Sequence, residues 1–365
     1  MIGRLVWENI THRPLRTMLS VLMIAVPVTL ILTLIGLSTG FVEDSRRRQN
    51  GVGADILVKP RGASIVGFSN STMPVSLVAK LATEPHVAQA MGQVIATIGG
   101  FDAIMGIDPA AFDRMSGGFV FLSGHPLSGP DDLLIDSWYA DQRHVQAGGK
   151  LNLLNHQWTV AGIVEPGKLG HIFAQIVPLE EVEGGGSGYV SQIYLKLDDK
   201  AHTNEVIGAL RKKYDEFPIV SMEELQSLIS VDKVPLLSTF LLVVEGIGVV
   251  IGFLVVSLSM YMAVLQRTRE IGILKSLGAT KGFIMGLILA EAFFLGLGGT
   301  IFGIIFSYGS AGIIHRAMPA SLPVAIVYAW WPISGAIAMG AALLGALYPG
   351  AIAVRMDPIE ALAYE

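Results

Sequence analysis

Residues 266–279 read QRTREIGILKSLGA, a short, basic, helix-forming segment with a long apolar run on either side. Working outward from it, four stretches are long enough to cross a bilayer, which takes about 20 predominantly apolar residues as helix: 17–41, 235–265, 283–314 and 328–354. The expected fold class is therefore an α-helical integral membrane protein with four transmembrane helices and a large α/β extracytoplasmic domain inserted between helices 1 and 2. Hydrophobic residues make up 52% of the chain and charged ones only 15%, against about 25% charged in soluble domains. The 42 glycines point the same way, because glycine is commoner in membrane helices than in soluble ones.

Basic residues in the short segments set the orientation. Arg4, Arg13 and Arg16 precede the first span, Arg267, Arg269, Lys275 and Lys281 lie between the second and third, and Arg355 follows the fourth. The connection between the third and fourth spans offers only Arg316. Both termini and the middle loop are thus expected in the cytoplasm. The run Arg46, Arg47, Arg48 opposes this, but it opens a loop too long for the rule to count. The first span is too long for the apolar core of a secretory signal and is read as a retained anchor.

The expected division runs as follows: a cytoplasmic interfacial helix at 1–16, the first span at 17–41 and the extracytoplasmic domain at 42–234. The second span at 235–265, the coupling segment at 266–282, the third span at 283–314, an outer loop at 315–327, the fourth span at 328–354 and a cytoplasmic tail at 355–365 complete it. In the first segment Ile2, Leu5, Val6 and Ile10 alternate with Arg4, Glu8 and His12 as an interfacial helix would, with Trp7 as anchor. A frayed tail is the alternative.

Residues 42–234 hold 16 Lys/Arg against 23 Asp/Glu, a net charge of −7, which disfavours nucleic acid as a partner. Short β-branched or alternating runs predict strands at 54–59, 93–98, 102–107, 150–154, 158–164, 175–178 and 189–197. Helices are expected at 76–81, at 204–214 behind Thr203 or Asn204 as N-cap, and after the capping box Ser221/Glu224. The glycine-rich 183–188 reads as a loop.

Enzymatic readings find little support. The eight histidines form no H-x-x-x-H or H-E-x-x-H, so no metal site is expected. Ser123, His125, Asp131, Asp132 and Asp136 lack a G-x-S-x-G elbow. No catalytic residues are assigned. Nor is there a G-x-x-x-x-G-K-[ST]; AGGKL at 147–151 lacks both its spacing and its hydroxyl. Two carboxylates fall within expected spans, Glu245 and Glu291, positions that are costly and by default functional. Glu245 could face its twin across a dimer axis, be held protonated among Gly246 and Gly248, or contact substrate.

Within the quoted segment, Ile271, Leu274 and Leu277 recur at helical spacing, with Lys275 directed elsewhere, Gly278 as a stop and Thr280 as a cap for the next span. Pattern alone leaves open a helix merely resting on lipid headgroups. The stretches RTREIGILKSLGATKGFI, AEAFFLGLGGTIFGIIF and PGAIAVRMDPIEALAYE, however, resemble the FtsX/MacB-like family of ABC transporter permeases. GADILVKP and GGKLNLLNHQWTVAGIV resemble the family's periplasmic core.

The resemblance implies that the middle loop docks on a cytoplasmic ABC ATPase, through Arg267, Arg269, Glu270, Ile271, Leu274, Lys275, Leu277, Gly278 and Ala279, with Asp357 and Pro358 of the tail. Gln266 departs from the acidic residue the family often has there. The resemblance further implies that ATP and Mg are bound by a partner ATPase dimer, that a second permease copy is present, and that the chain sits in the bacterial inner membrane. A periplasmic adaptor and an outer-membrane channel are further candidate partners. Glu291 belongs to the family pattern, which favours a structural contact. The expected function is ATP-driven export or extraction of a lipid, lipoprotein, peptide or amphiphilic drug. The alternative is an FtsX-like regulator of an extracytoplasmic partner such as a cell-wall hydrolase.

Overall fold

The computed structural model describes residues 14–63, 71–99, 102–183, 188–228, 268–318 and 320–355, with scattered residues between 243 and 266. In chain order its helices are α1 (Pro14–Asn50), α2 (Ser76–Leu81), α3 (Pro109–Ser116), α4 (Ser137–Arg143), α5 (Ile176–Glu183), α6 (Thr203–Lys213), α7 (Met222–Leu228), α8 (Thr268–Ser276), α9 (Lys281–Ala317) and α10 (Trp330–Arg355). Its strands are β1 (Ile56–Val58), β2 (Met73–Pro74), β3 (Val87–Gly99), β4 (Asp102–Ile107), β5 (Phe121–Gly124), β6 (Asp132–Asp136), β7 (Lys150–Leu153), β8 (His156–Val164), β9 (Ile172–Gln175), β10 (Tyr189–Val190), β11 (Gln192–Leu197) and β12 (Ile219–Ser221). The chain forms two compact units. One comprises Met1–Thr39, Pro235–Ile313 and Val324–Glu365, the other Gly40–Val234 and Ile314–Pro323.

Among the described residues of the first unit and its continuations, three helices are long and apolar enough to cross a membrane: Thr17–Asn50, Lys281–Ala317 and Trp330–Arg355. The span expected at 235–265 lies largely outside the described residues, and those described between 243 and 266 are all helical. The interfacial helix expected at 1–16 lies outside them up to residue 13.

Helices in lipid gain little from apolar contact with each other, so close backbone approach decides their packing. The glycines of α9 supply it. A Cβ on Gly303 would stand 2.6 Å from Val28 Cβ of α1, and one on Gly296 would stand 3.2 Å from Ala342 Cβ of α10. The α1–α9 contact is sealed by hydroxyls: Thr29 Oγ1 donates to its own helix at Ala25 O (2.8 Å) and lies 3.1 Å from Gly303 O, while Thr33 and Ser310 bond at 2.7 Å. Around Ala292, Leu295, Ala342 and Ala346 this unit closes its own core.

In the second unit the sheet runs β12-β1-β11-β3-β4-β9-β6-β8-β5, with β7 on β8 and a separate β2–β10 pair. Most pairings are antiparallel; β4–β9 and β6–β8 are parallel. β3 is the shared strand, with its register on β11 running from Val87 to Gln93 and that on β4 from Val94 to Gly99. Each half has its own core. α2 and α6 pack Leu77, Leu81, Ile207 and Leu210 on the first half, and α4 and α5 pack Tyr139 and Leu179 with Trp158 on the second. Alternate residues of β4 (Ala103, Met105, Ile107) face a third core with Phe112, Met115 and Phe173, as the period of two along a strand requires.

Several expectations change. α1 continues to Asn50 instead of ending at 41, because Arg48 pairs with Asp44 one turn back at 2.6 Å and keeps the charged run helical. The run 175–178 is chiefly helix: the strand is Ile172–Gln175, and Pro178 sits in the first turn of α5, where its missing N–H has no intrahelical role. Neither Thr203 nor Asn204 is the N-cap of α6. His202 holds that place, after a 3-10 turn at Lys200–His202. The outer loop expected at 315–327 divides, since α9 runs on to Ala317 and the chain from Val324 belongs with the membrane helices.

Gly303→Val should lower the thermal midpoint of the detergent-solubilised chain by an amount equivalent to about 2 kcal/mol or more. Gly309→Ala, where an added Cβ meets nothing within 4 Å, should leave it unchanged. Equal midpoints for the two variants would contradict the close-approach account.

Candidate functional site

Thr268 is the first described residue of α8, and its hydroxyl bonds back to Leu265 O at 2.8 Å, in a stretch, 264–266, that is itself helical. Lys275 lies in the last turn of α8, where the field of a helix favours a positive charge. It stops in a Schellman turn: Ala279 N donates to Leu274 O (2.9 Å), Gly278 N donates to Lys275 O (3.0 Å), and Gly278 adopts φ +92°. Thr280 then caps α9, accepting from Phe283 N at 3.2 Å.

The buried face of α8 is Thr268, Ile271 and Gly272, joined by the half-buried Lys275. This corrects the predicted face of Ile271, Leu274 and Leu277. Leu274 is only half-buried, and Leu277 is 80% exposed because, six residues on from Ile271 and still bonded to Ile273 O, helical phase places it on the opposite side from Thr268, Ile271 and Gly272. Nor does Lys275 point away: its Nζ donates to Val354 O of α10 at 3.0 Å. Ala279 packs beside Val354 in the same core as Ile271. The other side of α8 presents Arg269, Glu270 and Ile273 with Leu277 after it, all exposed. The site is thus a helix fixed on one side and bare on the other, carrying two charges and two large apolar side chains. Arg267, Asp357, Pro358 and Glu245 lie outside the described residues. Glu291 is 5% exposed within α9 and has an interaction partner.

The residues weighed as a hydrolase site do not assemble. His125 Nδ1 meets Pro126 O at 2.8 Å, Asp131 pairs with His156 at 2.8 Å, and Asp136 pairs with His171 at 2.6 Å. Asp132 Oδ2 holds its own turn through Ser128 N, Ser128 Oγ and Gly129 N.

One long-range contact was invisible in linear sequence. Gln142, on α4, clamps the backbone that follows α9. Its Oε1 accepts from Ala320 N (3.1 Å) and Ser321 N (3.2 Å), its Nε2 donates to Ser321 Oγ (2.9 Å), and Ser321 Oγ also reaches Asp102 Oδ1 at 3.2 Å. Ala320 is 2% exposed in the same core as Tyr139. Gln142 and Ser321 stand 179 residues apart in sequence, so no local pattern reports the pair.

With the geometry in hand, comparison with known proteins is informative. A family model described as MacB-like periplasmic core domain matches residues 17–213, and one described as FtsX-like permease C-terminal matches residues 242–358. The chain is 36% identical over 155 residues to the uncharacterized ABC transporter permease YknZ of Bacillus subtilis, covering 41% of this chain and 37% of that one. It is 26% identical over 239 residues to an uncharacterized ABC transporter permease of Methanocaldococcus jannaschii, covering 61% and 59%. It is 27% identical over 198 residues to the macrolide export ATP-binding/permease protein MacB of Bdellovibrio bacteriovorus, covering 49% of this chain and 29% of that one. The matches therefore span less than two thirds of these relatives' lengths.

Gln142→Ala should strip the Ala320 and Ser321 amides of their acceptor, at about 1–3 kcal/mol. Hydrogen exchange at those two amides should accelerate at least tenfold while exchange in β8 stays unchanged. Unchanged exchange at 320–321 would refute the clamp.

Proposed function

The chain belongs to the FtsX/MacB-like family of ABC transporter permeases, and from that premise we propose that it passes ATP-driven movement of a cytoplasmic ATPase into its α/β domain. The observation that carries this reading is the bare side of α8. Leu277 at 80% and Ile273 at 44% exposure, beside Arg269 and Glu270, make an apolar contact with flanking charges that suits a protein partner. Its opposite side is fixed through Ile271 and Lys275, so a push on α8 acts on the helices that follow it.

In this reading four spans cross the bacterial inner membrane with both termini in the cytoplasm, the segment at 235–265 supplying the second. ATP and Mg belong to a separate ATPase dimer, and two permease copies face each other. α9 begins three residues after Gly278 and ends next to the segment gripped by Gln142, which gives movement a covalent route to the α/β domain. The membrane helices carry few polar side chains to line an aqueous channel. A cargo handled by the outer domain, such as a lipid, lipoprotein, peptide or amphiphilic drug, fits that composition.

The test is a mild-detergent pull-down from native membranes beside Leu277→Asp, a better probe than the half-buried Leu274. An ABC ATPase should be recovered with the unmodified chain and fall at least tenfold with the variant. Equal recovery from both would overturn the docking role. Co-purification of a cell-wall hydrolase, without adaptor or cargo, would favour the regulatory alternative.

A further inference from the structure

The ladder between β3 and β11 ends at the pair Val87–Leu197. Just beyond it, the chain before β3 and the chain after β11 bring three potential metal ligands together. His86 Nδ1 lies 3.1 Å from Asp198 Oδ2, and His202 Nδ1 lies 3.5 Å from Asp198 Oδ1. The two imidazoles stack with centroids 3.9 Å apart and planes 28° apart. One donor atom from each of the three residues falls within 4.8 Å of the others.

A hydrogen-bonded surface pair explains only part of this. His86 and Asp198 satisfy each other, and Asp198 N also donates to His86 O at 3.1 Å. His202 Nδ1, in contrast, is shut off from solvent and makes no hydrogen bond. His86 holds φ +63°, a left-handed conformation that histidine adopts more readily than most side chains. The nearby cation does not compete, since Lys200 Nζ is turned to Asp55 at 3.5 Å.

We propose that His86, Asp198 and His202 form a zinc-type divalent metal site on the α/β domain. Zinc bonds to imidazole nitrogen and carboxylate oxygen at about 2.0–2.1 Å, so neighbouring ligand atoms in a tetrahedral site stand about 3.3 Å apart. His86 Nδ1 stands 3.1 Å from one carboxylate oxygen of Asp198 and His202 Nδ1 stands 3.5 Å from the other, with one donor atom from each residue within 4.8 Å of the rest, so small side-chain rotations bring the three to that spacing. Two neutral imidazoles and a carboxylate suit zinc, copper or nickel better than calcium or magnesium. Three protein ligands leave a fourth position for solvent or for a donor from another molecule. Bound there, the metal staples the start of β3 to the turn that launches α6, and stabilises that half of the domain by mass action.

The test uses the full chain without a histidine tag, in detergent, stripped with chelator, incubated with zinc chloride and dialysed. About one zinc per chain should remain, bound with a raised thermal midpoint. His202→Gln and His86→Asn, the latter chosen because asparagine tolerates the left-handed backbone, should each retain zinc at background level and show no zinc-dependent shift. Circular dichroism of the stripped variants should match the unmodified chain. Copper(II) loaded in place of zinc should show electron-spin resonance coupling to two nitrogens, reduced to one in either variant. No zinc retained by the unmodified chain, or retention unchanged in either variant, would overturn the site.

Discussion

Bare backbone on α9 is the constraint on which the membrane helices depend. Gly303 admits Val28 of α1 and Gly296 admits Ala342 of α10 at distances no side chain would tolerate without movement. In lipid, where apolar side chains gain little by exchanging lipid tails for a helix neighbour, such close contact and the Thr29 and Thr33 hydroxyls supply the specificity. α9 therefore has packed partners on two sides, and it follows α8 after a single Schellman turn.

That arrangement gives α8 its character. Burial of Ile271 and the Lys275–Val354 hydrogen bond tie it to α10, leaving Arg269, Glu270, Ile273 and Leu277 exposed on its other side. Farther along the chain, the last residues of α9 and the segment up to Pro323 belong with the α/β fold, where Gln142 reads the backbone as a neighbouring strand would. In both places a specific side chain, Lys275 or Gln142, recognises main-chain atoms of a segment distant in sequence.

Three of the four expected membrane helices were legible in the sequence because their signal is cumulative, whereas the run at 235–265 lies largely outside the described residues. The runs read at 283–314 and 328–354 fall within two or three residues of Lys281–Ala317 and Trp330–Arg355. α1 outran its expected end because hydropathy stops at charged residues while helical pairing such as Arg48–Asp44 does not. In the α/β unit, β4 and α2 were read at their full bounds, whereas α3 and α4 were overlooked although Asp108 before Pro109, and Asp136, cap them by accepting backbone N–H groups. Those were available signals. The face of α8, the Gln142 clamp and the His86–Asp198–His202 cluster were not available. Each depends on residues that only the tertiary fold brings together.

Because the chain contains no cysteine, a single Leu277→Cys carries a unique photo-crosslinker into native membranes. The account predicts a crosslinked product containing an ABC ATPase, absent when the same label is placed at Ile313, which is 70% exposed near the other end of α9. Labelling of lipid alone at Leu277, with no ATPase product, would contradict the claim that ATP-driven movement enters this protein through α8.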